Sequence, residues 1–272
     1  MSYSLRDGVK TYYEVSGEGP PMVLLHATPY DHSLWLYQIA HFSTWFRVIA
    51  VDSRCFGRSD KIETPFQYVE MAKDVETLCE QEGVKDAVLM GGSLGCRLGV
   101  YLGHERPDLF KAVVLVGGNV QVSRNGLTVS DLRRSERAKR YTEGPLIESY
   151  SWQLNEGVYE TFPKTTLGRY LIDLFVERAP WMSGRAVARV FEASPDFELT
   201  SRLPHIKLPF LVITGEHDRS LAGARETARS IPGGVHKILP GAGHVCTFED
   251  PAGFDALVID FLNNHGMMPP LA

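Results

Sequence analysis

Leu89-Met90-Gly91-Gly92-Ser93-Leu94-Gly95 is a G-x-S-x-G sequence set between the apolar runs Ala87-Val88-Leu89 and Leu98-Gly99-Val100-Tyr101-Leu102. A strand that ends in a tight turn and passes at once into a helix lifts a serine hydroxyl clear of a parallel sheet. Gly91 and Gly95 fall where a β-carbon would collide with the neighbouring strand and helix, so glycine there lets Ser93 be held in a strained turn. A chain with 25 glycines also produces such pentapeptides by chance, and a plain Gly-Ser turn ahead of a helix is the alternative. What argues against chance is the rest of the chain.

Working outward from the serine, Met22-Val23-Leu24-Leu25 is a continuous apolar run, Phe46 to Val51 is the next such run, Lys111 to Val116 follows the serine helix as a further strand, and the sheet resumes at Phe210 to Thr214 and at Val235 to Leu239. Such runs suit strands covered on both faces. Val9 to Val15 alternates as a strand, and from Tyr68 to Gln81 the residues Val69, Ala72, Val75 and Leu78 recur at helical spacing. Strands separated by helical stretches predict an α/β fold, with a mostly parallel central sheet and helices on both faces. Between Asn119 and His205 no strand is evident, only charged and aromatic sequence that includes Trp152. The predicted organisation is therefore a core of residues 1–119 and 206–272, with residues 120–205 inserted as a helical lid.

Two strand-end loops complete a set of reactive groups. The run ending at Thr214 leads into Gly215-Glu216-His217-Asp218, which puts Asp218 where a carboxylate can reach a histidine. The last strand leads into Pro240-Gly241-Ala242-Gly243-His244, and a histidine in a glycine-rich strand-end loop is better explained by catalysis than by packing. A serine hydroxyl is too weakly acidic to attack a carbonyl unaided, so His244 is the expected base and Asp218 the group that orients it.

Composition bounds the function. Hydrophobic residues make up 44% and charged residues 22%, as in ordinary globular proteins. A net charge of −5 argues against a nucleic-acid or acidic-membrane surface. No apolar run reaches the roughly 18 residues of a membrane span, and Met1 to Asp7 lacks the apolar core of a signal peptide, which predicts a cytoplasmic location. Cys55, Cys79, Cys96 and Cys246 form no C-x-x-C pair, so no metal site is expected and they read as small buried apolar residues. Arg133, Arg134, Arg137, Lys139 and Arg140, interleaved with acids, read as a solvated helix face.

With these residues in view, the chain resembles the α/β-hydrolase superfamily, in particular its lidded esterases, enol-lactonases and C–C hydrolases. Asp52 to Ser59 resembles that family's D-x-R-G-x-G-x-S turn, with Cys55 at a glycine position, and His26-Ala27 stands where His-Gly is usual. The resemblance implies a Ser93, His244, Asp218 triad and an oxyanion hole from the backbone N–H groups of Leu94 and Thr28. If the loop needs positive φ at Ala27, alanine strains it by about 1 kcal/mol. Tyr30, His32 and the aromatic Trp152 are expected around the substrate. The resemblance further implies no cofactor and a small acyl compound as partner, with a homo-oligomer allowed. An ester or lactone hydrolase is the first expectation, a C–C hydrolase of a vinylogous diketone the second. A cofactor-free perhydrolase and a small-molecule receptor stand as alternatives on the same fold.

Overall fold

Residues alternate in their direction along a strand, and here both directions are apolar, so the sheet must be covered on both sides. The computed structural model describes residues 2–118, 120, 129–193 and 197–270. Among these, eight strands form one sheet: β1 (Ser2–Arg6), β2 (Val9–Ser16), β3 (Pro21–Leu25), β4 (Arg47–Val51), β5 (Ala87–Gly92), β6 (Phe110–Val116), β7 (Phe210–Gly215) and β8 (Val235–Leu239). Their order is β1-β2-β4-β3-β5-β6-β7-β8, antiparallel at β1/β2 and β2/β4 and parallel elsewhere. β1 is an addition to the expected strands. It joins β2 through Asp7 (φ 50°) and Gly8 (φ 81°), the pair of left-handed residues that a two-residue hairpin turn requires.

Val23, Leu25, Leu89, Val113 and Val212 face one side. There they pack with α2 (Val69–Gln81), α3 (Leu94–Glu105) and α8 (Leu221–Arg229). Met22, Leu24, Val88, Val114 and Leu211 face the other, against α1 (Leu36–Phe42) and α10 (Pro251–Asn264). Between β6 and β7 lie α4 (Val129–Glu143), α5 (Leu146–Glu156), α6 (Thr166–Val176) and α7 (Gly184–Ala193). The expected junction at 119/120 adjoins residues 119 and 121–128, which are outside the described ones. Phe175 of α6 meets Tyr30 edge-on, with centroids 4.9 Å apart, and so ties this helical segment to the loop after β3. Among the described residues, no helix is long and apolar enough to cross a membrane.

The serine turn is held by close packing. A β-carbon on Gly91 would overlap the carbonyl oxygen of Gly95, and one on Gly95 would overlap the carbonyl oxygen of Leu25 in β3. Because both obstacles are backbone, the helix start must move if either glycine gains a side chain. Gly95→Ala is expected to cost roughly 2 kcal/mol and to lower Tm by about 5 °C in a thermal melt. An unchanged Tm would mean that α3 is not wedged against β3.

Candidate active site

Ser93 stands between β5 and α3 with φ 45° and ψ −91°, a region costly for any residue with a β-carbon. Its N–H donates to Val116 O (2.8 Å) and its carbonyl accepts from Cys96 N (3.1 Å), so both neighbours in the fold hold the turn. Asp218 follows β7 and His244 follows β8. The two loops are joined by Glu216 N to Leu239 O (2.9 Å) and His217 N to Ala242 O (2.9 Å). Gly117, at φ 59° after β6, passes so close to His244 that a β-carbon would overlap the histidine's carbonyl oxygen.

His244 Nδ1 lies 3.0 Å from Asp218 Oδ1. A carboxylate only accepts, so Nδ1 carries a proton, and in the neutral ring Nε2 is the nitrogen that keeps its lone pair. Asp218 Oδ1 also accepts from Ser220 N (2.7 Å), and its side chain is fully buried. Burial pushes the Asp218 carboxyl up. The charge of His244 and the hydrogen bonds from His244 and Ser220 outweigh this and hold it below the usual carboxylate value. Ser93 and His244 line one cavity of about 380 Å³. Among the described residues no hydrogen bond joins their side chains. A nucleophile and base without substrate are often slack in this way.

Leu94 and Thr28 line the same cavity. Leu94 is the first residue of α3, where N–H groups lack helical acceptors and the helix dipole is positive. Neither N–H donates a hydrogen bond to another described residue. The strain anticipated at Ala27 does not arise, because Ala27 is not among the residues of positive φ. That conformation falls instead on Cys55 (φ 77°), the other departure from the family pattern.

Tyr30 lines the cavity and Trp152 does not. One residue along a helix turns the side chain by about 100°, so on α5 it is Gln153 that faces the cavity, while Trp152 stacks against the Arg140 guanidinium at 4.1 Å. Gln153 Nε2 donates to Thr28 O (3.2 Å) and its buried Oε1 has no partner among the described residues. Arg97, Arg133, Arg134, Arg137 and Arg219 also line the cavity. The basic run on α4 is thus partly a cavity wall rather than only a solvated face. Its spacing, and Arg97 four residues after Ser93, were the signals available in the sequence; nothing marked Gln153. The four cysteines are buried and unbridged, and none lines the cavity.

His32 also lies away from the cavity, in a buried polar network under the β3 and β4 loops. Asp31, His32 and Asp52 present ligand atoms within 4.8 Å of one another, a spacing a metal could use. Their donors are already matched: Asp52 Oδ1 accepts from His32 N and Nδ1 (both 2.7 Å), Asp52 Oδ2 from Arg58 N (2.8 Å), and Asp31 Oδ2 from Arg178 Nε (2.5 Å). A cation there would have to displace Arg178, so the group reads as scaffolding. Beside it, Ser53 N donates to His26 Nε2 (3.0 Å) and His26 Nδ1 donates to Ala27 O (2.9 Å), fixing a neutral ring that ties the Thr28 loop to β4.

These two histidines give stability a pH dependence. Burial holds His26 below its ordinary 6.5, so just below that pH the unfolded chain binds the proton first and stability falls as pH falls. Burial also lowers His32, but its hydrogen bond and charge contact with Asp52 prevail and raise it above 6.5. Its contribution is therefore complete below 6.5 and lost as pH rises through the raised value. Thermal melts are expected to show a Tm maximum near pH 6.5, with the alkaline decline flattened in His32→Asn. A Tm still climbing through the alkaline side would contradict this assignment.

A family model described as "alpha/beta hydrolase fold" matches residues 20–251. The chain is 26% identical over 243 residues to a 2-(acetamidomethylene)succinate hydrolase of Mesorhizobium japonicum, covering 86% of this chain and 85% of that protein. It is 26% identical over 270 residues to a non-heme chloroperoxidase of Kitasatospora aureofaciens, covering 95% and 98%. The solved enol-lactonase of Burkholderia xenovorans matches with a TM-score of 0.88 at 25% identity, covering 96% of this chain and 100% of that one.

Proposed function

This chain belongs to the α/β-hydrolase family, and from that premise we propose that it is a serine hydrolase cleaving a small or medium carboxylic ester or lactone through an acyl-enzyme on Ser93. The observation that carries the reading is the 3.0 Å His244–Asp218 hydrogen bond beside the cavity that Ser93 also lines. With Nδ1 engaged by Asp218, Nε2 is the ring nitrogen that can act as a base. The likeness to an enol-lactonase supports an ester or lactone as substrate.

In this reading Ser93 Oγ attacks the carbonyl carbon while His244 Nε2 takes its proton. Asp218, ionised and buried, stabilises the imidazolium that forms. The carbonyl oxygen becomes an oxyanion and accepts from the N–H groups of Leu94 and Thr28, each such donor being worth about 3 kcal/mol in the transition state. The imidazolium then protonates the departing alkoxide. A water molecule deprotonated by the same Nε2 attacks the acyl-enzyme and regenerates Ser93. The helices between β6 and β7 act as a lid: Gln153 of α5 reaches Thr28 O, and the backbone of Gly157, at the end of α5, accepts from Val245 N (3.0 Å) beside the base.

The test is a panel of p-nitrophenyl esters, γ-lactones and a vinylogous diketone, with and without peroxide. Ester or lactone hydrolysis that needs no peroxide, preceded by a burst of p-nitrophenol equal to the enzyme, supports the acyl-enzyme. Folded protein that cleaves only the diketone, or halogenates only with peroxide, would overturn it.

A further inference from the structure

The loop that carries His244 is fastened on both sides of the histidine. Ahead of it, Gly243 N donates to Glu249 Oε1 (3.0 Å), and after it Val245 N donates to Gly157 O (3.0 Å). Glu249 ends the short helix Cys246–Glu249 that follows the loop, and its Oε2 accepts from Tyr159 N (2.9 Å) in the stretch after α5. Both ties therefore lead to residues 157–159, one directly and one through a carboxylate. The end of α5 and this stretch also hold the Asp218 loop. The Tyr159 ring stacks on His217 with centroids 3.8 Å apart, and Arg219 Nη2 donates to Glu156 O (3.1 Å). We propose that Glu249 is a positioning residue for the hydrolytic reaction, fixing the peptide ahead of His244 and fastening the base to the helical segment between β6 and β7. This inference rests on the serine-hydrolase reading above.

The chemistry of the carboxylate makes the case. Its two oxygens each accept from a backbone N–H on a different piece of chain, which an ionised carboxyl does and few other side chains can. Hydrogen bonds to a charged acceptor are roughly twice as strong as neutral ones. Burial opposes the arrangement: it pushes the Glu249 carboxyl above the usual carboxylate value, outweighing the backbone hydrogen bonds and the charge of His244. A glutamine of the same shape would escape that cost, but it has one acceptor oxygen and would turn its NH2 toward one of the two N–H groups. The seam that Glu249 bridges is also tight. A β-carbon on Gly243 would lie 2.4 Å from Tyr159 N and 2.8 Å from Val158 C, so the loop and the stretch after α5 are in backbone contact. Asp218 orients the imidazole ring through Nδ1, whereas Glu249 holds the backbone from which the ring projects. A reacting group misplaced by about 1 Å can cost about 10²-fold in rate, so the second constraint bears on catalysis.

The experiment follows p-nitrophenyl butyrate through the burst and the steady state, at a temperature where each protein is folded. In Glu249→Gln the burst rate and kcat are both expected to fall about ten-fold, because His244 serves both half-reactions and Asp218 still orients its ring. KM should be unchanged, and the burst amplitude should still equal the enzyme. A merely structural role would instead lower the amplitude, as inactive molecules accumulate, and leave the rates of the remainder as they were. That result, or wild-type rates throughout, would overturn the proposal. Glu249→Asp keeps the charge but ends one bond short of both N–H groups, so it should show the same pattern, and it decides if Glu249→Gln fails to fold. If the wild-type protein gives no burst, it is the serine-hydrolase reading that fails. The His244 ring signals in proton–nitrogen NMR spectra then decide this inference separately. Signals shifted or broadened in the folded variants uphold it; signals identical to those of the wild type reject it.

Discussion

Ser93→Ala is expected to lower kcat for ester hydrolysis by roughly 10⁴- to 10⁶-fold, with folding intact. The size follows from what the hydroxyl does. Without Oγ there is no acyl-enzyme, and His244 can only activate water at an oxyanion site built for a covalently held carbonyl. Stability should barely change, because alanine keeps the β-carbon that makes φ 45° costly. Ser93→Gly separates the two effects. It should be equally inactive yet more stable by about 1 kcal/mol, since glycine adopts that conformation without strain. Steady-state assays and thermal melts on the two variants check both. A Ser93→Ala protein with a tenth or more of wild-type activity would remove Ser93 from the chemistry.

Asp218→Asn is the second large loss, expected at about 10³-fold in kcat. An asparagine can fail here in two ways, by turning the imidazole into the wrong tautomer or by removing the charge. The structure favours the second. Oδ1 accepts from both His244 Nδ1 and Ser220 N, whereas Oδ2 has no partner among the described residues. The amide should therefore keep its oxygen toward His244 and turn its NH2 into the unpartnered position, at the cost of burying an unsatisfied donor. The tautomer survives and the stabilisation of the imidazolium does not. For that reason the loss should fall short of the roughly 10⁴-fold seen where the tautomer is also wrong. It should be accompanied by lower stability. Kinetics and a chemical melt on the variant measure both, and unchanged kcat would separate Asp218 from catalysis.

Much of this was legible because its causes are local. Apolar runs mark the central parallel strands, though not β8, whose His236 and Lys237 interrupt it, and the glycines around Ser93 mark a turn where two backbones meet too closely for a β-carbon. β1 escaped because Ser2–Arg6 is mostly polar and only Ser4 is buried, so its strand character comes from pairing with β2. Trp152 was expected at the substrate because aromatic residues in an inserted segment are either lining or packing. Only the helix phase of α5, set by tertiary contacts, decides between the two. Arg133, Arg134 and Arg137 looked like a surface face for the same reason: helical periodicity says which residues share a side, not what that side meets. The polar network of Asp31, His32 and Asp52 joins residues from two loops, and no spacing along the chain foretells that they converge.

The central claim is that Ser93 is an activated nucleophile, and reaction with a fluorophosphonate tests it most directly. Intact mass should show one adduct on the wild-type protein, none on Ser93→Ala, and a rate at least a hundred-fold slower on His244→Ala. An equal adduct on Ser93→Ala, or no adduct on folded wild-type protein, would contradict the account.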